Sequence, residues 1–189
     1  MYRLERTTSR SIALDRETVK THLRVDHSIE NTLIDGLIWA AQDMLEPPDG
    51  WLGRALSRAT YRLSLAGFDD VIKLPAPPFV SLTTFKYFDT DGDEQDVDTD
   101  VYRVVEKDIA MIERESGQTW PSLEARRRYP VTVTYLAGYE NTAAIPHAIK
   151  AFMLMQIAQF YDSRSLISTQ QMHGTPFTDK MLESFRVRL

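Results

Sequence analysis

The densest chemistry in this sequence is acidic. Asp89, Asp91, Asp93, Glu94, Asp96, Asp98 and Asp100 fall within twelve residues, with no lysine or arginine among them. Carboxylates at alternate positions suggest calcium, whose helix–loop–helix loop takes acids at positions 1, 3 and 5, glycine at 6 and glutamate at 12. Counting from Asp89, glycine falls at position 4, Glu94 at 6 and Asp100 at 12. The flanks also alternate as strands do. The spacing therefore predicts a solvated acidic hairpin turning at Asp91-Gly92, and no metal loop.

Other chemistries lack their parts. His22, His27, His147 and His173 form no HExxH pair, and no two stand four apart. The absence of cysteine removes disulfides, thiolate zinc sites and a thiol nucleophile. There is no G-x-S-x-G elbow, no G-x-x-x-x-G-K-[ST] phosphate loop and no G-x-G-x-x-G, and eight glycines offer few phosphate cradles. The sequence predicts no catalysis, no cofactor and no metal. The alternative, a small metal-dependent hydrolase, requires the acidic residues to converge on one pocket. Arg126-Arg127-Arg128 is the only basic triplet and reads as a charged turn ahead of a strand at Val131.

The elements that carry these residues follow from hydrophobic period. Asp15 can cap a helix from about Arg16 to Leu23, with Val19 and Leu23 on one face. A second helix, about Ile29 to Glu46 with Asp26 or Ser28 as cap, carries Leu33, Ile34, Leu37, Ile38, Ala41, Met44 and Leu45, and Pro47-Pro48 stops it. The middle alternates at period two: Tyr61, Leu63, Leu65; Ile72, Leu74; Tyr102, Val104; Val131, Val133, Tyr135. Five to seven short, mostly antiparallel strands are expected there, with Pro75, Pro77 and Pro78 as a rigid connection. Gly138 ends this region. A helix from about Pro146 to Ser165 and a short one over Phe177 to Arg186, capped by Thr178 or Asp179, complete the chain. The fold class predicted is α+β: a small helical bundle of N- and C-terminal helices with an inserted antiparallel β-rich lobe. It reads as one domain, with a helical core over 12–56 and 145–165, the lobe over 57–140 and a polar, flexible tail over 166–189.

Some apolar residues stand in unexpected places. Trp39 projects among Asp35, Gln42, Asp43 and Glu46, opposite the main stripe of its helix. On the late helix, Phe152 and Met155 point away from the stripe of Ile149, Met153, Ile157, Phe160 and Tyr161, toward Gln156 and Gln159. Helices apolar on two faces suit a protein packed on both sides, as in an oligomer or against a lobe. Trp39, Phe152 and Met155 are accordingly the expected contacts.

Totals bound the function. With 189 residues, 43% hydrophobic, a core can be buried. A net charge of −5 opposes bulk binding to a polyanion, which argues against a nucleic-acid-binding regulator. The N-terminal residues Met1 to Thr7 have no apolar region of the signal-peptide type, and no run approaches the roughly 20 apolar residues of a membrane span.

The ordered set of short segments resembles the head–tail connector (adaptor, head-completion) family of tailed bacteriophages and gene-transfer particles. The opening has Leu14-Asp15, Lys20, His22-Leu23-Arg24-Val25-Asp26, Leu33-Ile34 and Ala40-Ala41. Gly53-Arg54-Ala55-Leu56 matches a family segment, although Pro47-Pro48-Asp49 lengthens the approach to it. The middle has Ile72-Lys73-Leu74-Pro75, Pro78, Tyr87-Phe88-Asp89, Asp91-Gly92, Tyr102 and Trp120-Pro121. The end has Val131 to Tyr135, Ala137-Gly138-Tyr139, Ile145-Pro146, Ile149-Lys150, and Tyr161 followed by Arg164. The likeness covers roughly residues 12 to 165, and Phe177 to Arg186 is similar to the family's C-terminal segment.

The resemblance implies a structural virion protein at the head–tail junction, assembled in the host cytoplasm, with no catalytic residues. Its partners would be the portal protein, neighbouring copies in a ring of about twelve, and the next neck or tail protein. DNA would pass through the ring without specific binding, and no membrane is involved. Phe177, Met181, Leu182, Phe185 and Arg186 would dock on the portal, so replacing Leu182 and Phe185 by alanine is expected to abolish docking and spare the fold. The hairpin of Asp89, Asp91, Asp93, Glu94 and Asp96 would face the channel and repel DNA. Another neck or tail-completion subunit is the alternative reading.

Overall fold

The computed structural model describes residues 2–163 and 176–188, with the side chains of 176–179 outside that description. It contains β1 (Tyr2–Arg6), α1 (Arg16–Leu23), α2 (Asn31–Asp43), β2 (Ala59–Leu65), β3 (Val71–Lys73), β4 (Phe79–Phe88), β5 (Glu94–Asp96), β6 (Tyr102–Val105), β7 (Met111–Arg114), β8 (Val131–Ala137), α3 (His147–Asp162) and α4 (Pro176–Glu183). The fold is α+β. The chain divides into a helical unit, 11–57 with 139–186, and a β unit, 1–10 with 58–138 and 187–189.

In the β unit, a five-stranded antiparallel sheet has the order β1-β2-β8-β4-β5, and a three-stranded one the order β3-β7-β6. Residues 59, 61, 63 and 65 of β2 are buried opposite 137, 135, 133 and 131 of β8. Because side chains alternate across a strand, this register sets one face inward: Tyr61, Leu63, Val131, Val133 and Tyr135 are fully covered. Tyr135 Oη donates to the carbonyl of Pro75 at 2.7 Å, pinning the proline-rich connection. That connection contains a cis Pro77–Pro78 bond and Ala76 at φ 61°. A ring cluster continues the core, with Phe68 stacked on Trp120 at 4.7 Å and Phe85 edge-on to Tyr102 at 5.0 Å.

Among the described residues the middle of the chain holds seven strands, β2 to β8, within the five to seven expected there. An eighth, β1, lies ahead of that region and was not expected; it is held by pairing Tyr2–Arg6 with Leu65–Tyr61.

In the helical unit, Asp15 caps α1 as its position suggested, accepting from the amide of Thr18 at 2.8 Å. α2 starts later than expected. Neither Asp26 nor Ser28 caps it; Glu30 holds the cap position without a side-chain bond. The Glu30 carboxylate instead receives the hydroxyl of Tyr161 from α3. α2 also stops at Asp43, ahead of Pro47-Pro48, because the chain already folds back: the amide of Trp51 donates to the carbonyl of Met44, and that of Gly50 to Glu46, both at 2.7 Å. A Cβ on Gly50 would lie 2.2 Å from the Glu46 carbonyl oxygen, so only glycine fits this turn. α3 begins one residue after Pro146. α4 begins at Pro176, which puts Thr178 and Asp179 inside the helix and not at its cap.

Candidate interaction surfaces

The predicted single stripe of α2 is in fact two. Ile34, Ile38, Ala41 and Leu45 are at most 2% exposed and pack with Val19, Ile149, Met153 and Ile157. Leu33 and Met44, read as part of the same stripe, are exposed at 41% and 46%, with exposed Gly36 and Ala40 between them. Leu37, half-buried, lies between the two lines. Helical spacing explains the split: at about 100° per residue, 33, 36, 40 and 44 lie on one line and 34, 38, 41 and 45 on another, roughly a third of a turn away. Trp39, expected as a subunit or lobe contact on the polar side, is half-buried and already engaged in an interaction.

Beside the apolar core lies a buried polar node that patterning missed. Gln42 is fully buried; its Oε1 accepts from the amide of Ala13 at 2.9 Å, and its Nε2 donates to the Ser11 carbonyl and to Glu46 Oε2, each at 3.0 Å. Glu46 Oε1 accepts from the amides of Leu56 at 2.7 Å and Ser57 at 3.0 Å. The two side chains tie the segment before α1 and the segment leading to β2 onto α2. The signal available was their four-residue spacing at the end of the helix.

The expected interface and docking residues fall into two sets. Met155 is exposed at 37%. Phe152, expected as a subunit or lobe contact, is only 8% exposed, and Trp51 stacks on it at 6.4 Å. Arg186 then lies over the Trp51 ring at 5.2 Å. Leu182 is fully buried in the helical core, with Met181 and Phe185 partly buried against it. Buried Arg54 donates from Nε to the carbonyl of Phe185 at 3.0 Å. The end of α4 is thus packed on its own unit, and the expectation that Leu182 is dispensable to the fold is corrected by its burial. The side chain of Phe177 lies outside the described residues, as does the polar stretch expected to be flexible.

The acidic hairpin forms as β4 turns into β5. Asp89 faces inward on its own turn, its carboxylate accepting from the amides of Asp91 and Asp93 and from the side chain of Gln95, each at 3.0 Å. The Gln95 bond, followed by these amides, holds Asp89 below the usual carboxylate range. Gly92, at φ 89°, supplies the left-handed position. Glu94 pairs with Lys86 at 2.9 Å, while Asp91, Asp93 and Asp96 are exposed. The acids line a turn and do not converge: among the described residues, no three histidine or carboxylate side chains are placed to share an ion. Of the basic triplet, Arg127 pairs with Glu124 at 2.7 Å and lies 3.5 Å over the Phe88 ring. The outward face of the large sheet is polar, with a shallow groove lined by Arg62, Ser64, Thr84, Lys86, Thr132 and Thr134 among others. Among the described residues, no helix is long and apolar enough to cross a membrane.

No family model matches the chain, and no curated protein matches it. Solved structures do. A chain in the neck of an empty gene transfer agent (GTA) particle, computed with C6 symmetry, is 23% identical with a TM-score of 0.77, over 99% of this chain and 97% of that one. A chain in the virion of a native gene transfer agent particle is 22% identical with a TM-score of 0.77, over 98% and 96%. A chain in the neck of a native GTA particle, computed with C12 symmetry, is 22% identical with a TM-score of 0.70, over 99% and 97%. The likeness spans the helical and β units alike, and at this identity it establishes a shared fold.

Proposed function

We propose that this protein is a non-enzymatic ring subunit of the neck of a tailed, phage-like particle, seated between the portal and the next neck or tail component. The observation that carries the reading is the end-to-end match to chains of GTA necks and virions, at 97% and 96% of their own lengths. The C6 and C12 symmetries of those necks favour a cyclic assembly. The local engagement of Asp89 and Glu94 weakens the hydrolase alternative, which needs converging carboxylates. In the ring, the hairpin of Asp91, Asp93 and Asp96 faces the channel and keeps DNA from adhering.

Portal docking falls to exposed Arg186 and to what half-buried Met181 and Phe185 leave accessible, since Leu182 serves the core. The test is mass by light scattering, of the protein alone and mixed with the portal protein of the same source. A ring, or a monomer that becomes a stoichiometric ring on the portal, is expected. Arg186→Glu should weaken that binding without altering the fold. A protein that ignores the portal but binds another neck component would instead be a different neck or tail-completion subunit.

A further inference from the structure

Among the described residues, the large hydrophobics left exposed are unevenly placed. Five of the seven belong to the helical unit, and three of these, Ile29 at 88%, Leu33 at 41% and Met44 at 46%, lie on α2 or at its ends. Leu33, Gly36, Ala40 and Met44 follow one another at three- and four-residue spacing, so they form a straight ridge along the helix. Its centre is low. A Cβ added to Gly36 would meet nothing within 4 Å, so the space beside the backbone is open.

The same unit carries a concave surface of about 470 Å³, lined by Leu14, Thr18, His147, Lys150, Ala151 and Leu154 among others. These residues come from α1, α3 and the segments leading into them, and none from α2. Ridge and groove therefore use different residues of one compact unit.

We infer that the ridge of α2 seats in the α1–α3 groove of the next copy of this chain. The inference rests on the ring reading above and deepens it. A cyclic contact is heterologous, so each copy must present two unlike, complementary faces. The ridge is convex and apolar, with a low centre that lets another backbone approach. The groove is concave and has an apolar floor of Leu14, Ala151 and Leu154. The groove rim is mixed in charge, with Asp15 beside His147 and Lys150, so shape and apolar contact carry the fit.

Two variants test this. Gly36→Arg places a long charged side chain on the ridge where the monomer has room, and arginine is a better helix former than glycine. Its thermal midpoint should equal or exceed that of the native protein, while its assembled fraction on portal-bearing heads falls more than ~10-fold. In the second variant, Met44→Cys and Ala151→Cys are combined in a chain that has no cysteine of its own. A short bismaleimide should then give a ladder of covalent multimers, and neither single variant should do so.

Native-like assembly of Gly36→Arg, or rings that yield no ladder, would overturn the inference and leave the ring reading intact. Dimers from Met44→Cys alone would overturn it in favour of a ridge-to-ridge pair. If the native protein forms no ring, alone or on heads, the ring reading fails and takes the inference with it.

Discussion

In the β unit, β2 and β8 send alternate residues inward and present mainly threonine, serine and Arg62 outward, with Leu136 the one apolar residue on that face of the pair. In the helical unit, α2 is apolar inside and apolar again along one outward line. The first pattern leaves a surface that water satisfies. The second leaves a surface that water does not, and the same helix has a polar node, Gln42 and Glu46, buried where a core is usually apolar. The two units thus differ in where they carry residues against type. A buried polar group is tolerated only when its bonds are made, and those of Gln42 and Glu46 fix the entry and exit of the helical unit. An exposed apolar line has no such internal justification, which directs attention to a partner.

The largest effect expected from breaking this contrast is at Glu46. Glu46→Ala leaves the amides of Leu56 and Ser57 and the Gln42 side chain without their acceptor in a site only 3% exposed. A loss of about 3 kcal/mol is expected, since bonds to a buried charged acceptor contribute more than neutral ones. Hydrogen exchange should show it as lost protection in α2 and α3, with β2 and β8 unchanged. Equal loss in both units would mean that they unfold as one and would dissolve the comparison.

A smaller effect is expected at Tyr135. Tyr135→Phe removes the bond to the Pro75 carbonyl and should cost about 1 kcal/mol. Burial, chiefly, pushes this phenol well above its ordinary 10.0. The sign follows: the folded state keeps the proton while the unfolded chain gives it up near 10.0. Stability is therefore full below that pH and declines as pH rises beyond it. Urea unfolding at about pH 8 and about pH 10.5 should show this decline in the native protein and less of it in Tyr135→Phe. An identical alkaline decline in both would exclude Tyr135 as its source.

What the sequence made legible follows the same division. Strand alternation at Tyr61, Leu63, Val131, Val133 and Tyr135 identified inward residues correctly, because period two admits only two faces. On α2, the period identified a helix but not which of two apolar lines was buried, and Leu33 and Met44 were placed on the wrong one. For Phe152 the period showed only that it leaves the main stripe; it could not show what covers it, which is Trp51, from a turn with no periodic pattern. Leu182 looked like a docking residue because a short amphipathic helix has the same pattern whether its apolar side meets its own core or a partner. The node of Gln42 and Glu46 was hidden since polar residues at the end of a helix are ordinarily read as its solvent side.

The smallest effect expected is at the acidic hairpin, and it sharpens the contrast from the exposed side. The Asp89 carboxyl should titrate below 3.8, because Gln95 and the amides of Asp93 and Asp91 bond its ionised form. Its contribution is then present above the unfolded value and is lost as pH falls through the lower folded one. Asp89→Asn should leave the unfolding midpoint at neutral pH nearly unchanged while speeding amide exchange at Asp91 and Asp93. Carboxyl shifts followed by nuclear magnetic resonance, with and without calcium, test the point fully. A low, calcium-independent titration of Asp89 fits a carboxylate spent on its own turn, with Asp91 and Asp93 left to act through charge. Calcium-dependent shifts at Asp89, Asp91 and Asp93 together would mean that the acids converge after all and would reopen the metal reading.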